Sequence, residues 1–138
     1  GKTVPEQYVK IFEIVREARE RAVAFIREMA ATGRTIYGYA VDDVTRNYIA
    51  ENGYGEFFLH RTGHNIGTEI HGNGANIDNL ETRDERALIP GICFSIEPGI
   101  YFSEFGVRSE IDVFLAHLAP SGVIVTTVPV QNEVLTLL

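Results

Sequence analysis

A chain of 138 residues, 45% apolar and 22% charged, has the size and balance of one globular domain able to bury a sizeable core. Its formal charge of −7 argues against nucleic acid or a membrane surface as partner, since both favour a lysine and arginine surplus on one face. The lone cysteine, Cys93, excludes an internal disulfide and a thiolate zinc cluster; with no apolar run of membrane-spanning length and no signal-peptide core in GKTVPEQ, the sequence reads as cytoplasmic.

Thr3 with Glu6 forms an expected capping box, and Pro5 falls in the first turn. Ile11, Val15, Ala18, Ala22, Phe25 and Met29 follow at helical spacing, predicting a long amphipathic helix that ends before Gly33. Arg16, Glu17, Arg19, Glu20, Arg21, Arg27 and Glu28 read as its solvated face, with Glu17 and Arg21 in the favourable order for an ion pair. A second helix fits Tyr37, Val41, Val44 and Tyr48, with Asn52-Gly53 as its stop.

From Phe57 onward the pattern changes. GICFSIEPGIYF, GVRSEIDVFLAH and GVIVTTVPV are short, rich in β-branched and aromatic residues, and separated by turn residues, which predicts antiparallel strands. Helices first and strands after is an α+β order. Before the strands runs GNGANIDNLETRDERALIPG, polar, without a period, and too long for a simple turn; it is a candidate functional loop.

Three places in this half invite chemistry. HRTGHNIGTEIHG, His60 to Gly72, holds three of the four histidines, and its glycines favour an extended segment that ligands can approach closely. Any one histidine alone reads as a hydrogen-bonded core or surface residue; three together weigh against that. Glu97 sits among Phe94, Ile96, Pro98 and Ile100, where a buried carboxylate needs a cation, a metal or donors. In VRSEIDVF, Arg108, Glu110 and Asp112 alternate onto one face, and for Glu110 alone that face reads as solvent. An imidazole with two carboxylates and no thiolate suits Mn, Co, Fe or Zn, and carboxylates can bridge a hydrolytic metal pair.

HRTGHNIGTEIH, FSIEPGIYF and GVRSEIDVFL, in that order, resemble the C-terminal signatures of the pita-bread (M24-type) metallopeptidases, the family of methionine aminopeptidase, Xaa-Pro aminopeptidase and prolidase. EPGIY and GVRSE resemble the proline-type branch. The resemblance implies a partial pita-bread fold, two helices followed by a curved antiparallel sheet, and hydrolysis of the peptide bond before proline. It also implies two divalent metal ions in the full-length enzyme and a homodimer. By the same resemblance His64, Glu97 and Glu110 are metal ligands, with Glu110 bridging both ions. His71 stabilises the tetrahedral intermediate, Glu97 relays a proton to the leaving nitrogen, and His60 and Arg108 lie on the substrate side.

Two departures qualify this. The family's first two metal ligands are aspartates on an upstream hairpin, the second in a D-x-T-R pattern. Asp43 in DDVTRNY imitates that pattern but falls on the second helix, too close to His64. The true pair is expected before Gly1, with GK as the hairpin's tail. Residues 1–138 would then be the C-terminal portion of the catalytic domain, holding one ion or none, inactive alone, and exposing apolar surface that invites self-association. Gly72 replaces the glutamate that relatives commonly carry after the third histidine. The rival readings are a metal-free scaffold that binds proteins or peptides, and a creatinase-like amidinohydrolase.

Overall fold

A computed structural model of the chain describes residues 2–136. Val4 precedes a proline, and the Pro5 ring keeps the residue before it out of the helical region. Helix α1 therefore starts only at Glu6 and runs Glu6–Ala31. The expected capping box does not form: Pro5 is the cap, without a side-chain hydrogen bond, and its carbonyl accepts from the Tyr8 and Val9 amides at 3.0 and 3.3 Å. Helix α2 spans Gly38–Glu51 and stops where Asn52-Gly53 predicts.

The first half of α1 packs Ile11, Ile14, Val15 and Ala18 against Ile49 of α2, Phe58 and Ile100. Its second half packs Ala22, Val23, Ile26 and Ala30 against the sheet residues Phe94, Ile96, Ile111, Val113 and Leu115. Each of the larger aliphatic side chains contributes roughly 1.5–3 kcal/mol by leaving water. One part of the supposed solvated face is not solvated. Arg19 is completely buried, because α1 also lies against the strands on that side; its Nη1 donates to Ser109 Oγ at 2.7 Å and to the Gln131 carbonyl at 3.0 Å. The Glu17–Arg21 pair does form, at 3.0 Å, on the exposed side.

Six antiparallel strands follow: β1 (Asn65–Ile66), β2 (Ile92–Ile96), β3 (Gly99–Tyr101), β4 (Gly106–Arg108), β5 (Ile111–Leu115) and β6 (Val123–Val125). They form one sheet in the order β1-β2-β5-β6 and a separate β3-β4 ladder. The helices-then-strands α+β order is therefore the observed one. Two of the predicted runs are each split in two. β2 and β3 are interrupted at Glu97-Pro98, and β4 and β5 at Ser109-Glu110, directly opposite. Proline lacks the N–H a ladder needs, and across the gap the Ser109 amide donates to the Pro98 carbonyl at 3.2 Å. Both glutamates singled out above therefore sit where strand pairing pauses.

The polar run from Gly72 to Gly91 has no helix or strand but is well tied down. Ile77 and Gly63 exchange backbone hydrogen bonds at 3.0 and 3.1 Å, and the Leu88 amide donates to the Ile36 carbonyl at 2.8 Å. Asp78 accepts the Leu80 and Glu81 amides, and Asp84 accepts those of Asn76 and Arg86. No described helix is long and apolar enough to cross a membrane.

Candidate metal centre

The segment from His60 to His64 runs close beside β2. At Gly63 the approach is so tight that a Cβ would lie 1.9 Å from the Ser95 carbonyl oxygen, so only glycine fits. Ser95 N–H then donates to the His64 carbonyl at 2.9 Å, and Glu97 N–H to the Thr62 carbonyl at 2.7 Å. These bonds place the buried His64 beside Glu97 at the first strand interruption.

His64, Glu97 and Glu110 each present a ligand atom, and all three atoms lie within 4.8 Å of one another; this is the one such cluster found among the described residues. His64 Nδ1 lies 3.1 Å from the Asn65 carbonyl, which can only accept, so Nδ1 carries the proton and Nε2 is left as the ligand nitrogen. Nε2 faces Glu97 Oε1 at 3.3 Å. A cation held between that nitrogen and the carboxylate would satisfy both, and the donor set is the nitrogen and oxygen type that suits Mn, Co, Fe or Zn. Glu110 supports the same conclusion. Burial, and next the nearby Glu97 charge, push its carboxyl above the usual glutamate value, partly offset by Arg108. Crowded acidic oxygens of this kind fit a divalent cation.

Around this cluster stand the other predicted residues. The exposed His71 ring lies 4.3 Å from that of His64. Arg108 Nη1 is 3.4 Å from Glu97 Oε2, with half the side chain in solvent. His60 stands apart from the ligand atoms: Nδ1 donates to the Arg61 carbonyl at 2.7 Å, and Nε2 accepts from the Tyr101 hydroxyl at 2.7 Å. Asp43 is no part of the cluster; it accepts from Asn79 Nδ2 at 2.6 Å. Of the expected hairpin tail, Gly1 lies outside the described residues. At Gly72 the backbone is closely packed: a Cβ there would lie 2.2 Å from Asn65 Oδ1 and 2.9 Å from the Gly67 nitrogen. That oxygen accepts the Gly74 amide at 3.0 Å and so shapes the loop that carries His71.

Sequence reasoning passed over Ser95 and Tyr101. Ser95 is completely buried; its hydroxyl accepts the His64 amide at 3.0 Å and donates to Glu97 Oε1 at 3.0 Å, bridging two members of the cluster. The signal was present, since Ser95 lies two residues before Glu97 in an otherwise apolar strand, hence on the same face. Tyr101 looked like one more strand aromatic, and burial pushes its phenol above the usual value, keeping it a hydrogen-bond donor.

Residues 1–117 match the profile of metallopeptidase family M24. The chain is 39% identical over 109 residues to the Xaa-Pro dipeptidase of Lactobacillus helveticus, covering 78% of this chain and 27% of that protein. Among solved structures, it superposes on a dipeptidase from Pyrococcus horikoshii OT3 with a TM-score of 0.78 at 34% identity, over 95% of this chain and 33% of that one. The X-Pro aminopeptidase of Thermotoga maritima gives 0.76 at 35% identity, over 94% and 34%. These likenesses define the class as an α+β domain of partial pita-bread fold. The chain belongs to metallopeptidase family M24, and it spans about a third or less of the length of these relatives.

Proposed function

We propose that the complete protein is a dinuclear metallopeptidase that hydrolyses the peptide bond before proline, and that residues 1–138 are the C-terminal portion of its catalytic domain. The observation that carries this reading is the convergence of His64, Glu97 and Glu110 within 4.8 Å. The Xaa-Pro specificity named for the relatives supports the substrate class. Two aspartates on a hairpin preceding Gly1 would complete the ligand set, so this chain alone would hold one ion or none and be inactive.

When bound, divalent ions of the Mn, Co, Fe or Zn kind supply Lewis acidity and make water a competent nucleophile near neutral pH. The chain's own residues do the rest. His64 Nε2, Glu97 and Glu110 hold the ions. His71, exposed beside His64, donates an N–H to the oxyanion developing on the scissile carbonyl. Glu97, oriented by Ser95, takes a proton from the attacking water and passes it to the departing proline nitrogen. Arg108 balances the Glu97 charge and offers its planar fork to a substrate carboxylate. His60, held by Tyr101, borders the substrate. A homodimer and a cytoplasmic location belong to the same reading, the latter supported by a single, unpaired cysteine.

Elemental analysis combined with turnover of Xaa-Pro dipeptides and longer peptides with proline second tests this on the complete protein. Two ions per chain and cleavage before proline are expected. No metal uptake after supply of Mn or Co would overturn the reading in favour of a binding scaffold, and metal-independent turnover of creatine would favour an amidinohydrolase.

A further inference from the structure

Helix α2 carries a buried carboxylate whose two oxygens are fully engaged by donors from three separate segments. Asp42 is completely buried, and five donors converge on it: Arg46 Nε and Nη2 at 3.2 and 3.1 Å, the Thr62 amide at 3.0 Å, the Thr62 hydroxyl, and the Asn79 amide at 2.8 Å. Arg46 continues the network, donating to the carbonyls of Phe58 at 3.1 Å and His60 at 2.9 Å. Apolar packing would stabilise a helix against a loop about as well as such a buried pair. What apolar packing cannot do is fix backbone N–H and C=O groups in register.

The register held here is that of the metal centre. Thr62, gripped by Asp42 through its amide and hydroxyl, accepts the Glu97 amide at 2.7 Å on its own carbonyl. Gly63, next in sequence, pairs with Ile77, two residues before the Asn79 amide that Asp42 also binds. One carboxylate thus ties the strand leading into His64, the backbone of Glu97 and the base of the loop that carries His71. We infer that Asp42 and Arg46 are positioning residues, which set His64 opposite Glu97 before a metal arrives. This rests on the metal-ligand reading of His64 and Glu97.

Thr62→Val removes one donor at nearly constant volume and serves as the mild variant; Asp42→Asn and Arg46→Lys are the stronger ones. In the metal-free complete protein, amide exchange should speed about 10-fold or more at His64 and Glu97 while the α2 core at Ile49 keeps its protection. The Kd for Co, followed by cobalt absorption, should weaken about 10-fold or more, as loss of groups that orient ligands does. If Thr62→Val leaves both readouts unchanged, or if Ile49 loses protection in step with Glu97, the pair is merely structural and the inference falls. His64→Ala separates the two ideas: unchanged Co binding there defeats the metal reading, while the exchange data still decide the role of Asp42.

Discussion

Glu110 bears an electrostatic conflict at the residue scale, since burial and the charge of Glu97 both oppose its ionisation. A carboxyl whose folded pKa is raised favours the fold while protonated, and this contribution is lost as pH rises through the folded value. In the metal-free protein, Glu110→Gln should therefore raise Tm at neutral pH, with the difference closing below about pH 4, where glutamates protonate anyway. Thermal melts across that range check the sign, and a lower Tm at pH 7 would contradict it. With metal supplied, the same variant of the complete protein should lose activity and bound metal together. His71→Ala should behave differently, cutting turnover far more than metal content; equal loss of both would move His71 into the ligand shell. The candidate residues were legible in the sequence, because the three signatures carry His64, His71, Glu97, Arg108 and Glu110 in recognisable surroundings, and His64, Glu97 and Glu110 do converge. Asp42 and Tyr101 were not, because they act on residues 20 and 41 positions away, across contacts that only folding creates.

At the scale of elements, periodicity and punctuation predict where helices and strands lie but not what a given side meets. The angular position of Arg19 on α1 was correctly polar, yet no pattern within the helix could reveal that Ser109 waits there. Nor did the apolar strand runs disclose their pauses at Glu97 and Glu110, although Pro98 was a hint. Ser109 separates Arg108 from Glu110, so α1 braces the second strand interruption directly. Arg19→Leu should cost about 1–3 kcal/mol, the penalty of leaving the buried Ser109 hydroxyl without its donor; a loss well below ~1 kcal/mol by denaturant unfolding would show that water replaces the guanidinium. The polar loop makes a second case. Asp84 is held below the usual carboxylate range chiefly by the Arg86 side chain, and also by the amides of Asn76 and Arg86. A depressed pKa contributes stability above the ordinary aspartate value that is lost as pH falls through the folded one. Asp84→Asn should accordingly cost ~1–3 kcal/mol near neutrality, and the gap from the unaltered protein should shrink in acid below about pH 4.

For the molecule as a whole, the proposed metal reading makes the arrangement of His64, Glu97 and Glu110 along the chain decide how much metal it would hold. His64, Glu97 and Glu110 come from three separate segments, all within residues 2–136, and form the one cluster of three found among them. A second ion would need further carboxylates, and neither acidic residue at the start of α2 is free to serve: Asp42 is saturated by its donors, and Asp43 is bonded to Asn79. A lone three-ligand site also leaves most coordination positions to water, so affinity should be modest and should grow as pH rises and Glu110 gives up its proton. Elemental analysis of the 138-residue chain after dialysis against Mn or Co should therefore find at most one ion per chain, against two in the complete protein. Equal stoichiometry of two would mean that these three residues, with water, suffice for the pair and that no upstream aspartates are required. One ion in the chain, lost on His64→Ala, would assign this segment's share of the ligand set: a nitrogen and two carboxylates able to bridge.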